Sequence, residues 1–123
     1  MTLPLTAVVM LLIGHWIGDY VLQTNVIAKE KSRNIKWLLI HVAIYMTVIS
    51  ACTFILLPQN KWLAFIIVNG ILHFMTDLVT SKLTLKFQSN QRIFFIIIGF
   101  DQMIHAITLI GSAYWMTSVD PPF

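Results

Sequence analysis

LPLTAVVMLLIGHWIGDYVLQ, residues 3–23, is apolar except near its end, where His15 and Asp19 stand one helical turn apart. Its length is close to the ~20 residues that cross a bilayer as an α-helix. Three further stretches read the same way, at about 36–57, 62–85 and 93–116, and the four take up almost the whole of the 123-residue chain. With 58% hydrophobic and only 11% charged residues and a mean hydropathy of +0.81, the chain is far from a water-soluble globular composition. Residues 1–123 are therefore expected to form a single transmembrane domain.

Inside hydrocarbon the backbone must satisfy its own hydrogen bonds, which leaves helices or a closed barrel. The stretches lack the in-out alternation of barrel strands, so the expected fold is all-α: an integral membrane four-helix bundle with antiparallel, up-down topology. No proline falls inside a stretch, and continuous helices are expected. Segments 24–34 and 86–92 read as polar connections, and 58–60 as a tight turn. The first stretch is expected to be a retained helix rather than a signal peptide, because it has no basic leader and no small-residue cleavage site. Gly14 and Gly18 form a small-xxx-small pair beside the polar residues, which lets a neighbouring backbone approach that face.

The net charge of +3 has a topological reading that needs no nucleic acid. Lys29, Lys31, Arg33 and Lys36 lie between the first and second stretches, and Lys82, Lys86 and Arg92 around the third connection, whereas Lys61 stands alone in the second. The positive-inside rule then places the first and third connections in the cytoplasm and both termini outside, in a bacterial inner membrane. The basic connections also suit contact with anionic headgroups. The sole cysteine, Cys52, excludes an intramolecular disulfide and reads as a small buried residue.

The polar residues inside the stretches follow a pattern. His15/Asp19 and His73/Asp77 share one spacing, Asp101/His105 reverses it, and His41 adds an imidazole from the second stretch. Groups four apart on a helix point in nearly the same direction. In the antiparallel topology all seven fall between the midplane and the cytoplasmic boundary. Three aspartates at that depth cost on the order of 9 kcal/mol on an insertion scale, at roughly 3 kcal/mol each, so something must compensate them. Pairing with protonated histidines is one solution, and a divalent cation is a fuller one.

His15, His41, His73, Asp77, Asp101 and His105 are the expected metal ligands, with Asp19, nearest the cytoplasmic opening, as the catalytic base. Nitrogen and oxygen donors without thiolate suit zinc foremost, with manganese and iron compatible, in one site or two. Haem gives no reason for an aspartate one turn from each of three histidines. Gln23 and Gln102 read as hydrogen-bond partners of ligands.

HWIGDYVLQ (residues 15–23), AKEK (28–31), His41, HFMTD (73–77) and FDQMIH (100–105), taken in order, resemble the pattern of Domain of Unknown Function 3307, a family of small bacterial and phage membrane proteins. The likeness covers nearly the whole chain and implies the four-helix membrane fold. The matching positions are His15, Asp19, Gln23, Lys29 or Lys31, His41, His73, Asp77, Asp101, Gln102 and His105. Where that pattern carries a lysine about three residues after the third-stretch aspartate, this chain has Thr80, with Lys82 beyond it.

The function expected from these residues is a metal-dependent membrane hydrolase acting on a lipid-linked or other membrane-accessible substrate. Two other classes fit the same residues: a metal-ion or proton transporter or sensor, which with four helices calls for an oligomer, and a structural protein with a polar bundle core. A homodimer is compatible with each.

Overall fold

The computed structural model describes residues 3–57 and 59–118. Most of these are helical, with no strand among them: α1 (Leu5–Trp16), a π-helical turn (Ile17–Val21), α2 (Asn25–Glu30), α3 (Ile35–Thr53), α4 (Gln59–Lys86) and α5 (Gln91–Ser118). Helix starts follow local chemistry. Extended Pro4 precedes α1, Thr24 accepts from the Ile27 amide at the start of α2, and Asn34 from the Lys36 amide at the start of α3. Asn90 accepts from the Ile93 amide ahead of α5 in the same way.

Two features depart from the continuous helix and polar connection expected over residues 3–34. The first stretch leaves α geometry after Trp16, where the Leu22 amide bonds the Ile17 carbonyl across the wider turn. Gly18 sits in that turn, and glycine lowers the cost of leaving the α conformation. The connection then contains α2, because Thr24 caps it and Ile27 finds apolar burial.

Packing is cyclic: α1 lies against α3 and α5, α3 against α4, and α4 against α5. The buried face of α4 carries Phe65, Ile66, Asn69, Gly70, His73 and Asp77, a stripe at helical spacing. One part of the interior is apolar, built on Leu11, Tyr45, Ile49, Phe65, Leu109 and Ala113. Asn69 ties α4 to α5 through Ser112 at 2.8 Å. The rest of the interior is polar, while the outside is apolar: Asp77 is 1% exposed and Ile71, on the same helix, 55%. This inverts the arrangement of a water-soluble bundle. Three helices, Ile35–Thr53, Gln59–Lys86 and Gln91–Thr117, are long and apolar enough to cross a membrane, and the run Leu5–Val21 is apolar but shorter.

The glycine pair of the first stretch sets how near α3 comes. A Cβ on Gly14 would lie 2.9 Å from Cys52 Sγ, and one on Gly18 would lie 3.3 Å from Tyr45 Cα, a backbone atom that cannot rotate away. Gly99 and Gly111 have open space where a Cβ would stand. Gly18→Ala is therefore expected to destabilise the protein by roughly 1–3 kcal/mol, the range for overpacking. Gly99→Ala and Gly111→Ala should be neutral or stabilising, since alanine is the better helix former. Thermal melts in detergent compare the three, and equal melting temperatures would remove the close approach of α1 to α3 as a determinant.

Candidate metal centre

Four helical segments each deliver part of the polar interior. The π turn supplies Asp19, α3 supplies His41, α4 supplies His73 and Asp77, and α5 supplies Asp101 and His105, all of them buried. His15, at the end of α1, is buried beside them. The seven polar residues singled out in the sequence thus come together, though not in equivalent positions.

Asp19, His41, His73 and Asp77 form one group, with one donor atom from each lying within 4.8 Å of the others. His41 Nε2 lies 2.9 Å from Asp19 Oδ1, 3.2 Å from Asp77 Oδ2 and 3.2 Å from His73 Nε2. His73 Nε2 lies 3.6 Å from Asp19 Oδ1 and 3.5 Å from Asp77 Oδ2. A tetrahedral zinc with bonds of ~2.0–2.1 Å has ligand-to-ligand edges of about 3.3–3.4 Å. These five separations scatter about that edge. The facing imidazoles point the same way: two N–H groups cannot be directed at each other over 3.2 Å, so at least one nitrogen offers a lone pair to the centre.

A second group, Asp19, Asp101 and His105, has donor atoms equally close together and shares Asp19 with the first. His105 Nε2 spans the two, 2.8 Å from Asp77 Oδ1 and 3.2 Å from Asp101 Oδ2. Stacking holds the imidazoles in place, with the His73 ring between those of Tyr45 and His105 at centroid distances of 4.0 Å. His15 belongs to neither group. Its Nε2 donates to Gln102 Oε1 at 2.8 Å and stays 3.8 Å from Asp19 Oδ2.

Gln102 is the hub of the hydrogen bonding, as its place beside Asp101 suggests. Its amide donates to Asp19 Oδ2 and Asp101 Oδ2, each at 2.9 Å, while its oxygen accepts from His15. Thr80, which stands where the sequence pattern carries a lysine, donates to Asp101 Oδ1. The ammonium that meets the cluster comes from elsewhere: Lys31, just after α2, reaches 3.0 Å from Asp77 Oδ2. Tyr45, Thr80 and this role of Lys31 escape a search for metal-ligand residue types, although Lys31 is among the positions of the resemblance noted in the sequence. The Nδ1 atoms of His15, His41 and His73 are buried without a hydrogen-bond partner among the described residues, so it is the Nε2 edges that carry the contacts.

A cavity of about 320 Å³ opens beside this centre. Asp19, Asp101 and Gln102 line its inner end, and Lys29, Lys31 and Arg33 line it from the connection after the first stretch. Of the donors in the four-membered group, Asp19 alone borders it.

No curated protein and no solved structure matches the chain. The chain does match the family described as Protein of unknown function (DUF3307), over residues 7–121. The pattern of histidines, aspartates and Gln102 that builds the centre thus lies within a match covering nearly the whole sequence, and the chain belongs to the DUF3307 family.

Proposed function

We propose that the chain is an integral membrane protein in which α1 with its π turn, α3, α4 and α5 cross the bilayer as an antiparallel four-helix bundle, and that the buried centre is a divalent-metal site for hydrolysis of a membrane-accessible substrate. The observation that carries this reading is the near-tetrahedral spacing of four donors, one of which opens onto a cavity. His41, His73 and Asp77 hold the ion, zinc foremost, with manganese and iron compatible with the same donors. When bound, the ion supplies the Lewis acidity that brings deprotonation of water near neutral pH.

Asp19 is the base in this reading. It would stand beside the fourth position that catalytic zinc sites keep open for water or substrate, and it borders the cavity from which both would arrive. Gln102 fixes the Asp19 carboxylate through Oδ2 and leaves Oδ1 turned toward the histidines. His15 acts through Gln102, and His105 with Asp101 orients Asp77.

The test is turnover by purified protein with zinc restored, assayed against a panel of phospholipids and polyprenyl phosphates. Wild-type protein should turn over a member of the panel, and His73→Ala should not. Zinc-loaded protein inert across the panel would rule out the hydrolase, and zinc flux into proteoliposomes in its place would assign transport.

The orientation proposed is that of a bacterial inner-membrane protein with the basic first and third connections in the cytoplasm. Single cysteines introduced on a Cys52→Ala background check it. A cysteine at Gln59 should react with an impermeant maleimide added to cells whose outer membrane has been permeabilised, and one at Ser89 should not. The opposite labelling would reverse the orientation while leaving the bundle intact.

A further inference from the structure

We infer that the cavity beside the metal centre is a headgroup site for an amphiphile bearing a phosphate monoester. The inference rests on the metal reading, because a phosphate above Asp19 and Asp101 needs a divalent ion at the inner end to offset their charge.

Two independent features point to this ligand class. The first is charge: Lys29, Lys31 and Arg33 bring three cations to the lining, against the carboxylates of Asp19 and Asp101. Lys31 is engaged by Asp77, but the side chains of Lys29 and Arg33 have no ion-pair partner among the described residues. Arginine offers a planar fork that matches phosphate oxygens, and lysine a point charge.

The second feature is a buried hydroxyl. Ser81 Oγ borders this same cavity and lacks a hydrogen-bond partner among the described residues. Ser81 is 6% exposed, and leaving a buried hydroxyl unpaired costs on the order of 1–3 kcal/mol. The other hydroxyl-bearing groups of α4 nearby are spoken for: Thr80 donates to Asp101 and Thr84 to the Ser81 carbonyl. A phosphate oxygen provides the acceptor that the Ser81 hydroxyl lacks.

Size and surroundings decide where the rest of the ligand goes. About 320 Å³ is the lower end of the range for small-molecule pockets, enough for a headgroup but not for acyl chains. Leu85, Phe94 and Ile98 line the cavity on the α4–α5 side, giving an apolar route from the headgroup to the outer face of the bundle. In hydrolysis there, water oxygen bonds to phosphorus and the ester P–O bond breaks. The proton that water loses goes to Asp19 and then to the departing alkoxide, leaving the alcohol and inorganic phosphate.

Calorimetric titration of the zinc-loaded full chain in detergent tests the site with three probes: a non-hydrolysable phosphonate analogue of dioctanoyl phosphatidic acid, dioctanoylglycerol, and inorganic phosphate. The phosphonate should bind with one-to-one stoichiometry and the diacylglycerol should not. Tighter binding of the phosphonate than of inorganic phosphate supports a lipid source for the ligand; equal binding supports a phosphate site read by the headgroup alone. Ser81→Ala and the exposed double variant Lys29→Gln/Arg33→Gln should each weaken phosphonate binding at least tenfold. No binding of either phosphate-bearing probe, or affinities unchanged in both variants, would overturn the site. Elemental analysis of the same samples separates the two readings. A chain that holds zinc but binds no phosphonate overturns only the headgroup site, whereas one that takes up no ion overturns the metal reading and this one with it.

Discussion

Asp77→Ala is expected to abolish binding of the divalent ion and to destabilise the protein by about 3–5 kcal/mol, the range for removing one partner of a buried ionic network. The carboxylate is 1% exposed and sits at the junction of the cluster, in contact with Lys31, His41 and His105 and 3.5 Å from His73. Its loss leaves the Lys31 ammonium without its carboxylate and takes one of the facing carboxylate oxygens from each of three imidazoles, with Asp19 and Asp101 the remaining acceptors. The ion adds to the effect, because a ligand that binds only the folded state stabilises it by about 4 kcal/mol at a thousand times its dissociation constant. Asp77→Asn retains the shape and one acceptor oxygen, so it should recover part of the stability and little of the metal. Elemental analysis and thermal melts with and without chelator measure both quantities. If wild-type protein prepared with zinc melts at the same temperature after chelation and carries no stoichiometric metal, the centre is a structural polar core and the prediction fails.

Asp19→Asn separates base from ligand. If His41, His73 and Asp77 hold the ion, this variant should keep at least half of the wild-type zinc, while turnover falls by roughly 10²–10⁴, the contribution of a positioned general base. Asparagine keeps one acceptor oxygen, which can receive the Gln102 amide, while its NH2 takes the place of the oxygen that faced His41. The charge and the capacity to take a proton are lost. Zinc content and single-turnover rates on the same preparation decide the matter. Loss of zinc in step with activity would make Asp19 the fourth ligand, and full activity with full zinc would move the base elsewhere, with Asp101 the next carboxylate on the cavity.

Much of this protein is legible in its amino-acid order. Apolar runs of bilayer length, without strand alternation, require helices, because hydrocarbon leaves the backbone no other partner. The spacing of four in HWIGD, HFMTD and DQMIH puts each histidine on the same face as its aspartate, and the cost of those aspartates in an apolar helix requires that the faces meet. These inferences depend only on helix periodicity and transfer energies, which a short window of sequence contains. Gln102, too, was legible as a partner of ligands because it adjoins Asp101.

Which donors share a centre depends on how the helices pack. His15 and Asp19 are equivalent by spacing, yet Asp19 enters both donor groups while His15 turns to Gln102. That difference arises from the π turn at residues 17–21 and from the approach of Gly18 to Tyr45, which together set how the first helix is rotated against α3. Likewise, Lys31 reads in the sequence as one of several basic residues marking topology, whereas α2, capped by Thr24 and anchored by Ile27, directs it back to Asp77. The rotation of one helix against another, and the return of a connection onto the bundle, depend on contacts between residues far apart in the chain. Local periodicity contains no information about those contacts, so the pairing of donors and the cavity beside them follow from packing alone.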